Sequence, residues 1–80
     1  MTNKQKETIK DNLDAFVHNF GNVRIEDYGM PRSGFYVFCP ANSEDYVQYC
    51  YNIDYLNGWL YGAVQAVHRL PKNGEIWQDN

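Results

Sequence analysis

The chain has 80 residues, is 44% hydrophobic and 16% aromatic, and carries a formal net charge of −3. That length makes one domain with a small core, and the aromatic content excludes an intrinsically disordered chain. No apolar run approaches the roughly 18 residues of a membrane span, and the polar start MTNKQKETIK lacks the apolar stretch of a secretory signal, so a cytoplasmic protein without a membrane partner is expected.

Residues 3–20 are predicted to form a helix. Ile9, Leu13, Phe16, Val17 and Phe20 repeat at the spacing of one buried stripe. Thr2 and Gln5 have the spacing of a capping box, and Gly21 stands where a helix stops. Residues 22–28 alternate, with Val23, Ile25 and Asp27 on one face and Arg24, Glu26 and Tyr28 on the other, the pattern of a strand with one apolar side. Gly29, Pro31, Ser33 and Gly34 then make a turn cluster. Phe35 to Cys39 is a short aromatic strand bounded by Pro40. Alternation resumes over 46–52, which predicts a third strand, although Ser43-Glu44-Asp45 also has the composition of a helix start.

The second helix is expected over 55–70, capped by Asp54 and closed by Pro71. Its stripe is Leu56, Trp59, Leu60, Ala63, Val64, Val67 and Leu70. The resulting order is helix, three antiparallel strands, helix: an α+β fold with both helices on one face of the sheet, because each helix has a single apolar stripe. Residues 1–72 form the domain, and 73–80 are a polar tail that contains Ile76 and Trp77.

The second helix holds Gly58 and Gly62 one turn apart, with Ala66 one turn further. Interior glycines each cost a helix about 1 kcal/mol relative to alanine. Two explanations compete: close approach of the first helix or of a strand aromatic, or an open groove that receives a partner's side chain. Close internal packing is the expectation. Tyr61 projects beside Asn57, Gln65 and His68, an aromatic among polar neighbours as interfaces often have.

Catalytic signatures are missing. The sequence has no glycine-rich phosphate loop, no HExxH and no GxSxG. Cys39 and Cys50 have neither a nearby base nor metal-ligand spacing, and His18 and His68 fall on outward helix faces. The expectation is a non-enzyme with no cofactor and no metal, its cysteines reduced and partly buried.

Charge is unevenly spread. Residues 11–54 carry Asp11, Asp14, Glu26, Asp27, Glu44, Asp45 and Asp54 against Arg24 and Arg32. That sign opposes phosphate binding and suits a partner with a basic surface. The stretch YCYNIDYLNGWLYGAVQA, residues 49–66, resembles small proteins of phages and conjugative elements of low-GC Gram-positive bacteria. Proteins from that setting with similar size, acidity and aromatic content include anti-CRISPR inhibitors of type II nucleases. The resemblance covers under a quarter of the chain and transfers no residue role. The element order also resembles the double-stranded RNA-binding domain, but Asp54-Tyr55-Leu56-Asn57-Gly58 stands where that family has a lysine-rich helix start.

The leading expectation is therefore an inhibitor that occludes the basic nucleic-acid site of a host defence nuclease such as a CRISPR effector. Glu26, Asp27, Glu44, Asp45 and Asp54 would meet its cations, and Tyr61 with the Gly58–Gly62 edge would anchor it. One alternative is a nucleic-acid-binding accessory protein that stacks bases on Phe35, Tyr36, Phe38, Tyr49 and Tyr51. Another is a homo-oligomeric structural protein that uses the glycine groove as a self-interface.

Overall fold

The computed structural model describes residues 1–28 and 34–69. The elements run α1 (Asn3–Phe20), β1 (Arg24–Asp27), β2 (Phe35–Phe38), β3 (Gln48–Cys50) and α2 (Ile53–Arg69). The expected order and the α+β class are present. The turn at 29–33, Leu70, Pro71 and the tail with Ile76 and Trp77 lie outside the described residues.

Helix α1 begins as its sequence predicts. The Thr2 hydroxyl accepts from the Gln5 backbone N–H at 3.1 Å, and Gln5 Oε1 accepts from the Thr2 N–H at 3.0 Å. Two N–H groups that would lack helical partners are thereby satisfied. At the other end Gly21, at φ 90°, takes the left-handed backbone that side chains disfavour, and its N–H donates to Val17 O at 2.8 Å.

The sheet is a meander of order β1-β2-β3 with both pairs antiparallel. Arg24 pairs with Phe38, Ile25 with Val37, Glu26 with Tyr36 and Asp27 with Phe35. Across the other seam Phe35 pairs with Cys50, Tyr36 with Tyr49 and Val37 with Gln48. Directly paired residues share a face, so Ile25, Phe35, Val37 and Cys50 look one way and Arg24, Glu26, Tyr36, Phe38 and Tyr49 look the other. The helix layer lies on the first face. There Ile9 and Phe16 from α1, Phe35 and Val37 from β2, Cys50 from β3 and Leu56, Leu60 and Val64 from α2 form one buried cluster. Each large apolar side chain in it contributes about 1.5–3 kcal/mol by leaving water.

With three antiparallel strands between them, the two helices point the same way. Two polar contacts record the parallel run: Asn12 Nδ2 donates to Asn57 Oδ1 at 2.8 Å, and Asn19 Oδ1 lies 3.3 Å from His68 Nε2.

Several boundaries differ from the sequence reading. The strands are shorter than the alternation that announces them. Helix α2 starts earlier than Tyr55, because Asn52 rather than Asp54 caps it: the Tyr55 N–H donates to Asn52 Oδ1 at 2.7 Å. Asp54 occupies the first turn, where a carboxylate favours the helix dipole. Ser43 starts no helix. Its hydroxyl donates to Asp45 O at 2.9 Å and accepts from the Asp45 N–H at 3.3 Å, which closes a local turn instead. The two expected stripes are buried at Ile9, Phe16, Leu56, Leu60 and Val64, while Phe20 and Val67 at their edges are exposed.

Candidate interaction face

Neither helix covers the second face of the sheet. Tyr36 stands at its centre. The ring of Tyr28 lies 5.4 Å from it, that of Tyr49 5.2 Å and that of Tyr46 4.6 Å, centroid to centroid. Tyr46 also meets Phe38 edge-on at 6.5 Å. Such tilted and edge contacts suit the ring quadrupoles. The cluster is neither a buried core nor a set of isolated rings: Phe38 is 8% exposed, Tyr28 39% and Tyr46 54%.

Two local devices build this face. One is Gly34, whose φ of 138° disfavours any side chain. A Cβ there would also lie 2.8 Å from Cε1 and Cζ of Tyr49, so glycine makes room for that ring. The second device is Arg24. Its guanidinium sits 4.0 Å over the Phe38 ring and donates to the backbone carbonyls of Ala41 and Ser43. This fastens the 39–47 loop to β1 and brings Tyr46 over the sheet. Arg24 Nε lies 2.9 Å from Glu26 Oε2, yet its N–H is not aimed at an acceptor, so the pair is a charge contact and not a hydrogen bond.

The expected site residues do not converge. Glu26 lies on the tyrosine face, beside Arg24. Glu44 and Asp45 are exposed in the loop that carries Tyr46. Asp27 turns toward the helix side, where its carboxylate holds the Met1 amino group. Asp54 is exposed in the first turn of α2. Gly58, Tyr61 and Gly62 lie on the solvent side of α2, in the other layer.

Among the described residues, nothing packs closely against the glycines, contrary to expectation. A Cβ at Gly58 or Gly62 would meet nothing within 4 Å among the described residues. Trp59, the large neighbour, turns inward to Phe16 at 5.5 Å.

Of the aromatics expected on an exposed sheet surface, Tyr36 and Tyr49 are on the face away from the helices, both half-buried. Phe38 is there but mostly covered, and Phe35 is in the core. Tyr51 meets Tyr55 in a tilted contact at 4.9 Å at the start of α2. Tyr28 and Tyr46 were not singled out from sequence. Tyr28 carried a signal, since its alternation puts it on the side of Arg24 and Glu26. Tyr46 carried none, because its place depends on a loop held by Arg24.

Cys39 is half-buried and Cys50 fully buried, and both are free thiols. Burial pushes the Cys50 thiol up to about 11, the opposite of an activated nucleophile. Among the described residues no group of three or more His, Cys, Asp and Glu side chains is placed to hold a metal, and no helix is long and apolar enough to cross a membrane.

Comparison with protein-family models, with curated proteins and with solved structures gives no match to this chain.

Proposed function

We propose that this chain is a non-catalytic protein-binding domain that inhibits its partner by covering a basic surface, and that the tyrosine face of the sheet is where it binds. The observation that carries the reading is the cluster of Tyr28, Tyr36, Tyr46 and Tyr49 on the sheet face that neither helix covers. Tyrosine supplies large contact area with little rotamer entropy to lose, and it dominates binding hot spots. Glu26, Glu44 and Asp45 give the face an acidic margin, which suits a partner rich in lysine and arginine.

A nucleic-acid partner fits less well. Arg24 is the cation on this face among the described residues, and Phe38, two carbonyls and Glu26 already engage it. Phosphate contacts need cations that are free to make them. The resemblance of residues 49–66 to mobile-element proteins makes a CRISPR effector nuclease the first partner to assay.

The test is cleavage of target DNA by guide-loaded type II nuclease with the purified chain added. The expected result is inhibition by the parent chain, weakened tenfold or more by Tyr46→Ala and by Glu44→Lys with Asp45→Lys. Tyr61→Ala, in the other layer, should leave it intact. Loss of inhibition in Tyr61→Ala alone would move the binding surface to α2. Salt-dependent binding of single-stranded oligonucleotides that requires Tyr46 would replace the protein-binding reading with a base-stacking one.

A further inference from the structure

The outward face of α2 carries large aromatic side chains where a solvated helix usually carries charge. Tyr61 is 54% exposed and Tyr55 41%. At about 3.6 residues per turn they stand on either side of the line through Gly58 and Gly62. Tyr51 meets Tyr55 at 4.9 Å and extends that wall to the start of the helix. Between the walls the helix backbone itself forms the floor, since an added Cβ at either glycine would meet nothing within 4 Å among the described residues. Asp54 and Arg69 lie at opposite ends of the same face. Both are exposed, and no ion pair among the described residues holds either.

The spacing of these residues makes the face complementary to itself when one copy is turned end for end. Asp54 precedes Tyr61 by seven residues, and Arg69 follows Gly62 by seven. A twofold axis passing between 61 and 62 therefore sets Asp54 of each copy level with Arg69 of the other, and Tyr61 level with Gly62. Gln65 falls level with Gly58. We infer that α2 is a self-association surface, which pairs antiparallel with α2 of a second copy of this chain so that Tyr61 of each copy seats over Gly62 of the other.

Charge selects the direction. A parallel pair would set Asp54 against Asp54 and Arg69 against Arg69, whereas the antiparallel pair joins opposite charges at both ends and opposes the helix dipoles. Exposed pairs add little affinity, about 0–1 kcal/mol each, so the tyrosines and the close approach over the glycines hold the contact. The sheet face is a poorer place for a second copy. Its carboxylates Glu26, Glu44 and Asp45 share it with Arg24 alone among the described cations, and Arg24 is already engaged. Helix α2 has 17 residues and is about 26 Å long. One such face falls short of a standard interface of about 1,600 Å², so the dimer should be weak, with a dissociation constant of roughly 10–500 µM. The inference is independent of the tyrosine face: α2 lies in the other layer, and pairing through it leaves the sheet of each copy free.

The experiment is sedimentation equilibrium of the full chain from about 5 µM to about 1 mM. The expected result is a monomer at the low end and a dimer at the high end. Gly62→Gln, which fills the floor, and Tyr61→Ala, which removes the side chain that seats on it, should each weaken the dimer tenfold or more, while Tyr46→Ala leaves it unchanged. Far-UV circular dichroism should show the parent fold in each. Asp54→Arg and Arg69→Asp should each weaken self-association, and a one-to-one mixture of the two variants should recover it, because opposite charges then meet at both ends of the mixed pair. A chain that stays monomeric through about 1 mM would overturn the inference. So would a dimer that Gly62→Gln and Tyr61→Ala leave intact, and a mixture that recovers nothing would overturn the antiparallel pairing.

Discussion

Replacing Gly58 and Gly62 together by alanine should stabilise the fold. Both glycines lie inside α2, their backbone is helical, and an added Cβ at either meets nothing within 4 Å among the described residues. No clash therefore subtracts from the propensity gain of about 0.8–1 kcal/mol at each site. Part of that gain acts through the unfolded chain, where alanine has fewer conformations to lose. The double variant should gain about 1.5–2 kcal/mol. For a domain of this size each 1 kcal/mol raises Tm by about 4–8 °C, so the expected rise is roughly 6–16 °C. Thermal and urea unfolding followed by far-UV circular dichroism would measure it. An unchanged or lowered Tm would refute the reasoning, because it would mean that some side chain occupies that flank of the helix. A raised Tm with lost inhibition would have a different meaning: the glycines would then be kept for a partner at α2, at a cost in stability.

Gly34→Ala should do the reverse. Positive φ and the Tyr49 ring both oppose a side chain there, and the loss should be about 1–3 kcal/mol by urea unfolding; a neutral result would show that Tyr49 can leave Gly34 freely. Cys50 should give the fold an alkaline limit. Its folded thiol titrates at about 11 against an ordinary 9.0, so as pH rises the unfolded chain gives up this proton first. The contribution is fully present below about pH 9 and is lost as pH climbs through about 11, at up to about 1.4 kcal/mol per pH unit. Urea midpoints across that range should fall less steeply in Cys50→Ala than in the parent chain, and equal slopes would count against the burial argument.

The helices were the most legible part of the fold. The period of Ile9, Leu13 and Phe16 and the Thr2–Gln5 pairing are local signals, and both survive into the structure because local geometry alone decides them. The start of α2 was less legible. Asn52 and Asp54 are both good caps by chemistry, and the choice between them turns on one backbone bend. The alternation in 46–52 announced a strand without saying which face is inward. That depends on register: once Phe35 pairs with Cys50 and Tyr36 with Tyr49, the cysteine enters the core and the tyrosine leaves it. The tyrosine face was illegible for the same reason, since Tyr28, Tyr36, Tyr46 and Tyr49 come from three separate segments that only the pairing and the Arg24-held loop bring together. Whether the glycine flank is covered depends on how α1 sits beside α2, which no pattern within α2 encodes.

The placement of the charges changes what they can do. From sequence, the acidic surplus in 11–54 suits a partner with a basic surface. In the structure much of it is spent locally. Asp14 pairs with Lys10 at 2.9 Å, Asp27 with the Met1 amino group, and Glu26 lies against Arg24. Glu44 and Asp45 remain as the carboxylates beside the tyrosine cluster that no ion pair among the described residues holds. Two exposed charges contribute modestly, because exposed pairs are worth about 0–1 kcal/mol and are screened by salt. Desolvated tyrosines at an interface centre contribute about 2 kcal/mol or more each. In the proposed interface the aromatic cluster would then supply most of the affinity, and the carboxylates would act mainly on the rate and orientation of encounter. An inhibitor built this way would need a partner whose basic surface also exposes apolar area between its lysines and arginines. Bare charge complementarity would not hold it.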